Sequence, residues 1–375
     1  MLKLDSINIE IVNKDISKMV TGVTIYESVL GMLKGAISIK DGINFFDNFI
    51  GTSLSPVHIK FQYFEQDPIL CSFFMDGISD MKIEKNQKNY IIHIKSACIP
   101  QFNETVNSAF SGRSDEIIKR IFTQIKSKNM KLHIDNQTDT KGKYIAPNIP
   151  ARDCLNVLVN NSYDVKQTGM FLYQRLFDNN IVRLTSLYDM LNNHFVDNNK
   201  VRVAIRSIIT SGQTVTGKDI IGTASSFKLK EYNMDFIQKV EDGVWGKAVS
   251  EMNLDETTKK DNLTKEVTSI HKQNFKLSDK LYSDNIKSIF SIRGNPTSSK
   301  IISHKIRVFN TILEVTDMVA LPNLGVGMSI SVLLGEGNKS KSRQDGKYLV
   351  SYIQHKFSVN AGNFIYSQDV GLVRE

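Results

Sequence analysis

The sequence predicts an α+β fold that is mainly β. Short alternating strand patterns crowd residues 1–105 and 301–375, and two amphipathic helix patterns lie within 106–200. A polar stretch at 250–300 interrupts the second β-rich region. Many short strands separated by glycine, asparagine and aspartate are typical of barrels and sandwiches. We therefore expect β-rich regions of the barrel or sandwich type on either side of an α+β module, with a polar insertion in the second β-rich region.

The first 105 residues read as a series of strands. Within Ser6–Val12, isoleucines alternate with polar residues, as one buried face of a strand requires. Further strands are predicted at Val23–Val29, Leu33–Ile39, Val57–Phe64, Leu70–Phe74, Ile78–Ile83 and Tyr90–Ile94. In the last of these, Tyr90, Ile92 and Ile94 share one face, which we expect to be buried.

The pattern changes after residue 105. Ser114 precedes Asp115 and Glu116 and an apolar stripe at helical spacing, which predicts a helix with Ser114 as its N-cap. A short strand follows at Lys131–Ile134, and Pro147–Pro150 opens a second helix. The apolar stripe of that second helix consists of Cys154, Leu155, Leu158 and Val159. Strands at Met170–Leu176 and Ile181–Thr185 form a hairpin around Asp178, Asn179 and Asn180.

Strands resume in the last part of the chain. They are predicted at Val201–Ile209, Ser225–Glu231, Ile312–Val319, Met328–Leu334, Lys347–Val359 and Asn363–Val370. Residues 250–300 are instead rich in lysine, aspartate, asparagine, threonine and serine, and we interpret them as a partly irregular polar insertion.

A weak internal repeat connects the two β-rich regions. Val57–Lys95 and Gly327–Val370 each run as strand, polar loop, long strand, tight turn and strand. The closing strands place Tyr90 and Tyr366 at similar positions. Two copies of one small β-fold explain this order, although unrelated β-meanders can also share it.

Composition leaves the partner class open. The 375 residues include 47 basic and 39 acidic side chains, so the net charge of +8 permits, but does not require, nucleic acid or an anionic surface as a partner. Cys71, Cys98 and Cys154 lie far apart and form no disulfide framework. The N-terminus lacks the apolar core of a signal peptide, and the longest apolar stretch, Val319–Gly335, is broken by polar residues. We expect a non-secreted protein without membrane insertion.

The motifs of catalysis and cofactor binding are missing from the sequence. There is no HExxH, GxSxG, GxxxxGK[ST] or GxGxxG pattern, and Gly325–Gly327 is followed by a strand rather than a helix. None of the seven histidines lies two to four residues from another, and no cysteine is adjacent to one. We therefore predict no catalytic residues, no cofactor and no metal, although two distant carboxylates of a glycosidase would escape such a search.

The most specific feature is the segment Gly346–Phe357, GKYLVSYIQHKF. It resembles the closing strand of the baseplate central hub proteins of contractile-tailed bacteriophages, which follows the pattern x-V-x-x-I-x-H-x-F. The residues that carry this resemblance form our predicted signature strand: Tyr348, Val350, Ile353, His355 and Phe357.

Three other segments match the same family in order. Tyr26–Ile37 is similar to its early hairpin, and Pro147–Pro150 with Leu155 and Leu158 is similar to its Pro-Ile-Pro helix start. Thr316–Ile330 is similar to its turn before a strand. Residues 250–300 have no match.

The resemblance implies two tail-tube-type β-barrel domains, residues 1–105 and the discontinuous 201–249 with 301–375, around an α+β domain at 106–200. It implies a non-enzymatic virion protein of the tail baseplate, assembled in the host cytoplasm as a homotrimeric ring. Two domains in each of three copies give six quasi-equivalent units around the axis. Open sheet edges of neighbouring copies would pair with each other and close the ring around a channel. Such a ring would adapt a sixfold tail tube, or its initiator proteins, to a threefold spike. The tape-measure protein would occupy its channel, and DNA would later pass without specific binding.

Other functions remain compatible with the sequence. One is a peptidoglycan hydrolase of the tail tip, and another is the hub of a contractile injection system that is not a phage. A nucleic-acid-binding protein is a third, given a pI of about 9.1.

Overall fold

The computed structural model describes most of the chain. The described residues are 2–3, 6–48, 54–62, 68–84, 87–125, 130–166, 168–178, 180–192, 202–205, 221–224, 226–231, 247–251, 287–291, 311–319, 321, 324–333, 346–360 and 363–374. Among them the fold is mainly β with a few helices, as predicted.

The first hundred residues form mainly strands, with a 3-10 turn at Ser17–Met19 and a short helix. The elements are β1 (Leu2–Lys3), β2 (Ser6–Ile11), β3 (Lys14–Asp15), β4 (Val20–Ser28), β5 (Lys34–Asp41), α1 (Phe45–Asn48), β6 (Pro56–Gln62), β7 (Ile69–Glu84) and β8 (Gln87–Ser96). The two strands predicted at Leu70–Phe74 and Ile78–Ile83 are wrong as separate elements, because β7 continues through both by means of two bulges against β8. Tyr90, Ile92 and Ile94 are buried together as expected.

The middle of the chain mixes helices with small sheets. The elements are α2 (Ile99–Phe102), β9 (Thr105–Arg113), α3 (Ser114–Gln124), β10 (Lys131–Ile134), β11 (Lys141–Pro150), α4 (Ala151–Asn160), β12 (Met170–Gln174), β13 (Ile181–Ser186) and α5 (Leu187–Asn192). The predicted hairpin is confirmed, since β12 and β13 pair antiparallel. The stripe of α4 is buried as predicted.

Two predictions about helix starts are wrong. Ser114 is the first residue of α3 rather than its cap, and Glu116 instead accepts a hydrogen bond from the Arg113 N–H at 3.2 Å. Pro147–Pro150 belongs to the end of β11, and the helix begins one residue later, at Ala151. β9 and β11, which pair antiparallel with each other, were not predicted.

The last part of the chain returns to strands. The elements are β14 (Arg202–Ile205), β15 (Ile221–Ala224), β16 (Ser226–Glu231), β17 (Lys247–Glu251), β18 (Lys287–Ser291), β19 (Thr311–Val319), β20 (Ser329–Leu333), β21 (Gly346–Asn360) and β22 (Asn363–Arg374). β17 and β18 pair in parallel at the two ends of the predicted polar insertion, and the residues between them lie outside the described chain. Residues 206–209 of the predicted strand at 201–209 also lie outside it.

The internal repeat is visible in the strand order. We define the first β-unit as β2 and β4–β8, which lie in the order β2-β6-β7-β8-β5-β4. The second β-unit consists of β14, β16 and β19–β22, in the order β14-β20-β21-β22-β19-β16. When the strands are numbered along the chain within each unit, the two orders are identical. One pairing differs, because β2 and β6 are antiparallel whereas β14 and β20 are parallel.

The repeat extends to the register of single residues. Pro56, the first residue of β6, pairs with Phe74, and β7 bulges after the next residue. Ser329, the first residue of β20, pairs with Leu349, and β21 bulges after the next residue. In both units the N–H of the residue before the bulge donates to a backbone carbonyl oxygen. The acceptor is the residue that precedes β6 in the first unit, at 2.9 Å, and the residue that precedes β20 in the second, at 2.8 Å.

In this register the predicted match of Tyr90 with Tyr366 is wrong. Tyr90 lies three residues before the residue opposite Gly77, whereas Tyr366 lies five residues before the residue opposite Tyr352. The two tyrosines are therefore offset by two positions, although both are buried.

Three hydrophobic cores organise the described chain. One is built mainly from the first β-unit, one mainly from the second, and one from α2–α4 with the strands around them. The three cores fall in the regions predicted as two β-domains and an inserted α+β domain, whose boundaries remain a prediction.

Candidate functional site

The two β-units are joined by a seam in which β4 pairs antiparallel with β21. Gly22–Ser28 lie opposite Tyr352–Ser358. On the same edge of β21, residues 346–349 pair with β20, so two strands share that edge. The N–H of Val29 donates to the carbonyl oxygen of the bulged Ser351 at 3.0 Å. One of the open edges expected to need a neighbouring copy is thus closed inside the chain.

All five residues of the predicted signature strand lie on β21 and are buried. Tyr348, Val350 and Ile353 belong to the core of the second β-unit, whereas Phe357 belongs to that of the first. The Phe357 ring stacks on Phe61, with ring centroids 4.6 Å apart. β21 therefore crosses from one core to the other, and His355 lies where the crossing occurs. Its role as a family signature stays a prediction.

A buried carboxylate holds the seam from the β4 side. Glu27, only 1% exposed, accepts the N–H of Leu176 at 2.8 Å and the N–H of Val326 at 2.7 Å. The Nε2 of His355 lies 3.0 Å from the same carboxylate. These three partners come from the inserted region, the loop before β20 and β21. A fully buried carboxylate is costly unless it is hydrogen-bonded in this way.

The hydrogen bonds continue to β22 and fix the form of the imidazole. The Leu321 N–H donates to Gln368 Oε1 at 3.0 Å, so the Gln368 amide nitrogen faces Tyr366 and donates to its hydroxyl at 2.7 Å. The Tyr366 hydroxyl is hydrogen-bonded to His355 Nδ1, also at 2.7 Å. A carboxylate can only accept, so His355 Nε2 carries the proton toward Glu27. This pattern satisfies every polar side chain in the row.

The loop before β20 is held by Arg175. Arg175 Nε donates to the carbonyl oxygen of Val326 at 2.8 Å, and its Nη2 donates to the Tyr173 hydroxyl at 3.2 Å. A Cβ at Gly325 would lie 2.8 Å from Arg175 Cδ, and one at Gly327, whose φ is +74°, would lie 2.5 Å from the Tyr173 oxygen. These glycines serve close packing rather than phosphate binding.

The arrangement has the composition of a catalytic constellation but not the access. His355 and Tyr366 are 0% exposed, and Glu27 is almost as deeply buried. A substrate has no route to the imidazole in this arrangement. The site joins five segments by hydrogen bonds: β4, the inserted region, the loop before β20, β21 and β22.

The three cysteines are also buried. Cys71, Cys98 and Cys154 are free thiols, and burial raises the pKa of Cys98 to about 12. Among the described residues, no group of histidine, cysteine, aspartate and glutamate side chains could hold a metal ion. The helices in that part of the chain are all too short or too polar to span a membrane.

A cavity of about 740 Å³ lies beside the seam, between the turn after β4 and α4. Its lining is mostly apolar and includes Val29, Leu30, Phe102, Leu155 and Phe171. Leu30 is 74% exposed at its mouth.

Sequence reasoning missed Glu27, Arg175 and Gln368. Glu27 is the only charged residue of the predicted strand Val23–Val29, and part of that strand matched the hub family. A lone charge in such a strand could have indicated a structural role. Arg175 and Gln368 had no such signal, because each is bonded to a loop far away in the sequence.

Comparison with solved structures gives the class of fold. The chain superposes on a 43 kDa prophage tail protein of Shewanella oneidensis with a TM-score of 0.62, 9% identity and 98% of both chains covered. It superposes on a tail protein of Neisseria meningitidis with a TM-score of 0.64, 9% identity, and 99% and 96% of the two chains covered. A component of the E. coli type VI secretion system gives 0.50 at 8% identity, with 100% of this chain and 77% of that one covered.

The predicted mainly β fold is therefore confirmed, and it is the fold of phage tail proteins. The two barrels implied by the resemblance remain a prediction. No protein-family model matches the sequence, and the search of curated proteins finds no match.

Proposed function

We propose that this chain is the central hub of a tail baseplate, a structural virion protein that forms a homotrimeric ring. The observation that carries the proposal is the duplicated strand order joined by the β4–β21 seam. The structural similarity to prophage tail proteins over nearly the whole chain supports it.

The duplication explains how a trimer can meet a sixfold partner. Two equivalent β-units in each of three copies present six similar units around one axis. The face toward the tube would then have the approximate sixfold symmetry of the six units. The face toward the spike would follow the three inserted α+β domains, because each chain has one of these. The hub thus acts as a symmetry adaptor between the tail tube, or its initiator proteins, and the tail spike.

The ring encloses a channel through which the genome leaves. Before ejection the channel would hold the tape-measure protein, and afterwards DNA would pass with few lasting phosphate contacts. No enzymatic step is part of this role, and the sealed Glu27–His355 pair supports that assignment. Assembly takes place in the host cytoplasm, before the tail is completed.

A hub of a contractile injection system that is not a phage is the second candidate. The similarity to a type VI secretion component favours it, and that protein is in turn structurally similar to T4 bacteriophage tail proteins gp27 and gp5. Both roles need the same ring, so they share the first test.

Size-exclusion chromatography with light scattering tests the ring. We expect a mass three times the 42.4 kDa of the chain at micromolar concentration, alone or when the spike protein is added. A stable monomer under both conditions would contradict the proposal. A clearing zone in a peptidoglycan gel with the purified chain would instead support the hydrolase alternative.

A further inference from the structure

The long strand β7 has an edge without a partner among the described strands, whereas the equivalent edge of its counterpart β21 is paired. On one side β7 pairs with β8 over Phe73–Glu84, and on the other side β6 pairs only with residues 69–74. None of the described residues pairs with 76–84 on that second side. In β21 the corresponding stretch, Tyr352–Ser358, is paired with β4.

The side chains of this edge show the consequence. Lys88 in β8 and Tyr366 in β22 each lie five residues before the residue opposite the first residue after the bulge, so their partners Ile83 in β7 and Phe357 in β21 correspond. Phe357, on the stretch that pairs with β4, is 1% exposed, whereas Ile83 is 68% exposed. Met81 is also exposed, at 41%. A strand edge that has no partner strand and carries exposed apolar side chains is a site where another strand adds to a sheet.

The chain also carries the strand that fits this edge. Val23 of β4 pairs with Ile37 of β5, and the equivalent pair in the second β-unit is Phe227 of β16 with Val315 of β19. β16 is thus the counterpart of β4. It pairs only with β19 among the described strands, so its second edge is open.

We infer that β16 of one copy pairs antiparallel with β7 of the next copy, repeating between chains the seam that β4 and β21 make within one. This inference rests on the proposed trimeric ring and names its contact. By the register of the seam, Ser226 lies opposite Glu84, Phe227 opposite Ile83 and Lys228 opposite Lys82.

The occupant of the β7 edge is a second copy for a topological reason. The seam carries the first β-unit onto the second within one chain. In the proposed ring, an equivalent strand pairing on the other side of the second unit joins that unit to the first unit of another chain rather than to its own. Each copy then offers one open strand and one open edge, which is a head-to-tail contact that closes into a ring.

Cysteine pairs test the register. Lys82 and Lys228 are both exposed, so the double variant Lys82→Cys/Lys228→Cys should form disulfides between chains on mild oxidation, giving covalent dimers and trimers on a denaturing gel. Thr24→Cys/Lys356→Cys occupies the equivalent pair of the seam and should cross-link within one chain. Lys40→Cys/Lys228→Cys, with an equally exposed lysine on β5, should not cross-link.

A second pair of variants tests the edge without disulfides. Ile83→Asp should raise the concentration at which the trimer dissociates at least tenfold, because a charge replaces the apolar contact. Ile43→Asp is the matched control, since Ile43 is 71% exposed but lies outside the edge. Neither change should alter the thermal unfolding of the monomer.

The outcomes separate the two proposals. A wild-type trimer that neither forms the Lys82–Lys228 cross-link nor responds to Ile83→Asp would overturn the strand pairing and leave the hub intact. A wild-type monomer with no cross-link would overturn both. Cross-linked trimers together with selective weakening by Ile83→Asp would establish the contact.

Discussion

The Glu27 carboxylate connects parts of the chain that are far apart in sequence. Its hydrogen-bond partners are 149, 299 and 328 residues away. Two of them are backbone N–H groups, which would otherwise be buried without an acceptor. The charge is therefore a structural device that fixes the position of two loops relative to β21.

Glu27→Gln should destabilise the fold. The amide keeps the size of the side chain and one acceptor oxygen, but its NH2 group must face at least one of the three donors, so we expect the free energy of unfolding to fall by about 1–3 kcal/mol. Urea denaturation followed by circular dichroism measures the loss. Glu104→Gln is the control, because the Glu104 side chain is exposed, and its effect should stay within about 0.5 kcal/mol. Equal midpoints for the two variants would show that the carboxylate does not hold the seam.

At the scale of elements, β21 determines how the β-units meet. It is 15 residues long, and β20 and β4 divide one of its edges at the bulge after Val350. A bulge redirects a strand and increases its twist, which allows one strand to serve two cores. Opposite the bulge, Gly371 pairs with Tyr352, whose ring lies over the glycine.

Gly371→Ala should disturb this crossing. A Cβ at Gly371 would lie 1.9 Å from Tyr352 Cε1, so the ring must move and lose its 2.5 Å hydrogen bond to Glu314. We expect a loss of about 1–3 kcal/mol in the free energy of unfolding, measured by urea denaturation. Gly142→Ala, at a position with no heavy atom within 4 Å of the new Cβ, is the matched control. If both alanine variants unfold at the same urea concentration, the contact with Tyr352 does not limit stability.

At the scale of the whole molecule, the duplicated β-units and the mild net charge predict that the proposed ring binds DNA only weakly. A net charge of +8 on 375 residues is not enough to mark a nucleic-acid-binding protein. A channel that conducts DNA must release it, and many phosphate contacts would give strong, salt-dependent binding. We therefore expect the surface that lines the ring to lack a dense belt of lysine and arginine.

Filter binding of duplex DNA at physiological salt measures this property. The trimer should bind with a dissociation constant weaker than about 10⁻⁶ M, in the range of non-specific contacts. A basic DNA-binding protein of similar size serves as the positive control. Tighter binding that weakens steeply with salt would favour the nucleic-acid-binding alternative over a conducting channel.

Local patterns predicted much of the fold. Alternation located most strands of both β-units, and the buried stripe of α4 was read correctly, because burial on one face leaves a period in the sequence. The short helices α1 and α5 and the pair β9–β11 were missed, since their apolar residues are too few to show a period. The start of α3 was placed one residue late because the cap is a backbone contact with Glu116 rather than a serine side chain.

The sequence by itself determined that the chain is mainly β, that two similar β-regions enclose a mixed segment, and that Gly346–Phe357 carries the resemblance to baseplate hubs. Only the tertiary structure decided that β4 and β21 join the two units, that Glu27 and His355 are sealed between them, and that no described strand covers the edge of β7 beyond residue 75. Strand formation follows from neighbouring residues, which a sequence displays directly. Strand pairing depends on residues hundreds of positions apart, whose meeting is set by the packing of the whole chain.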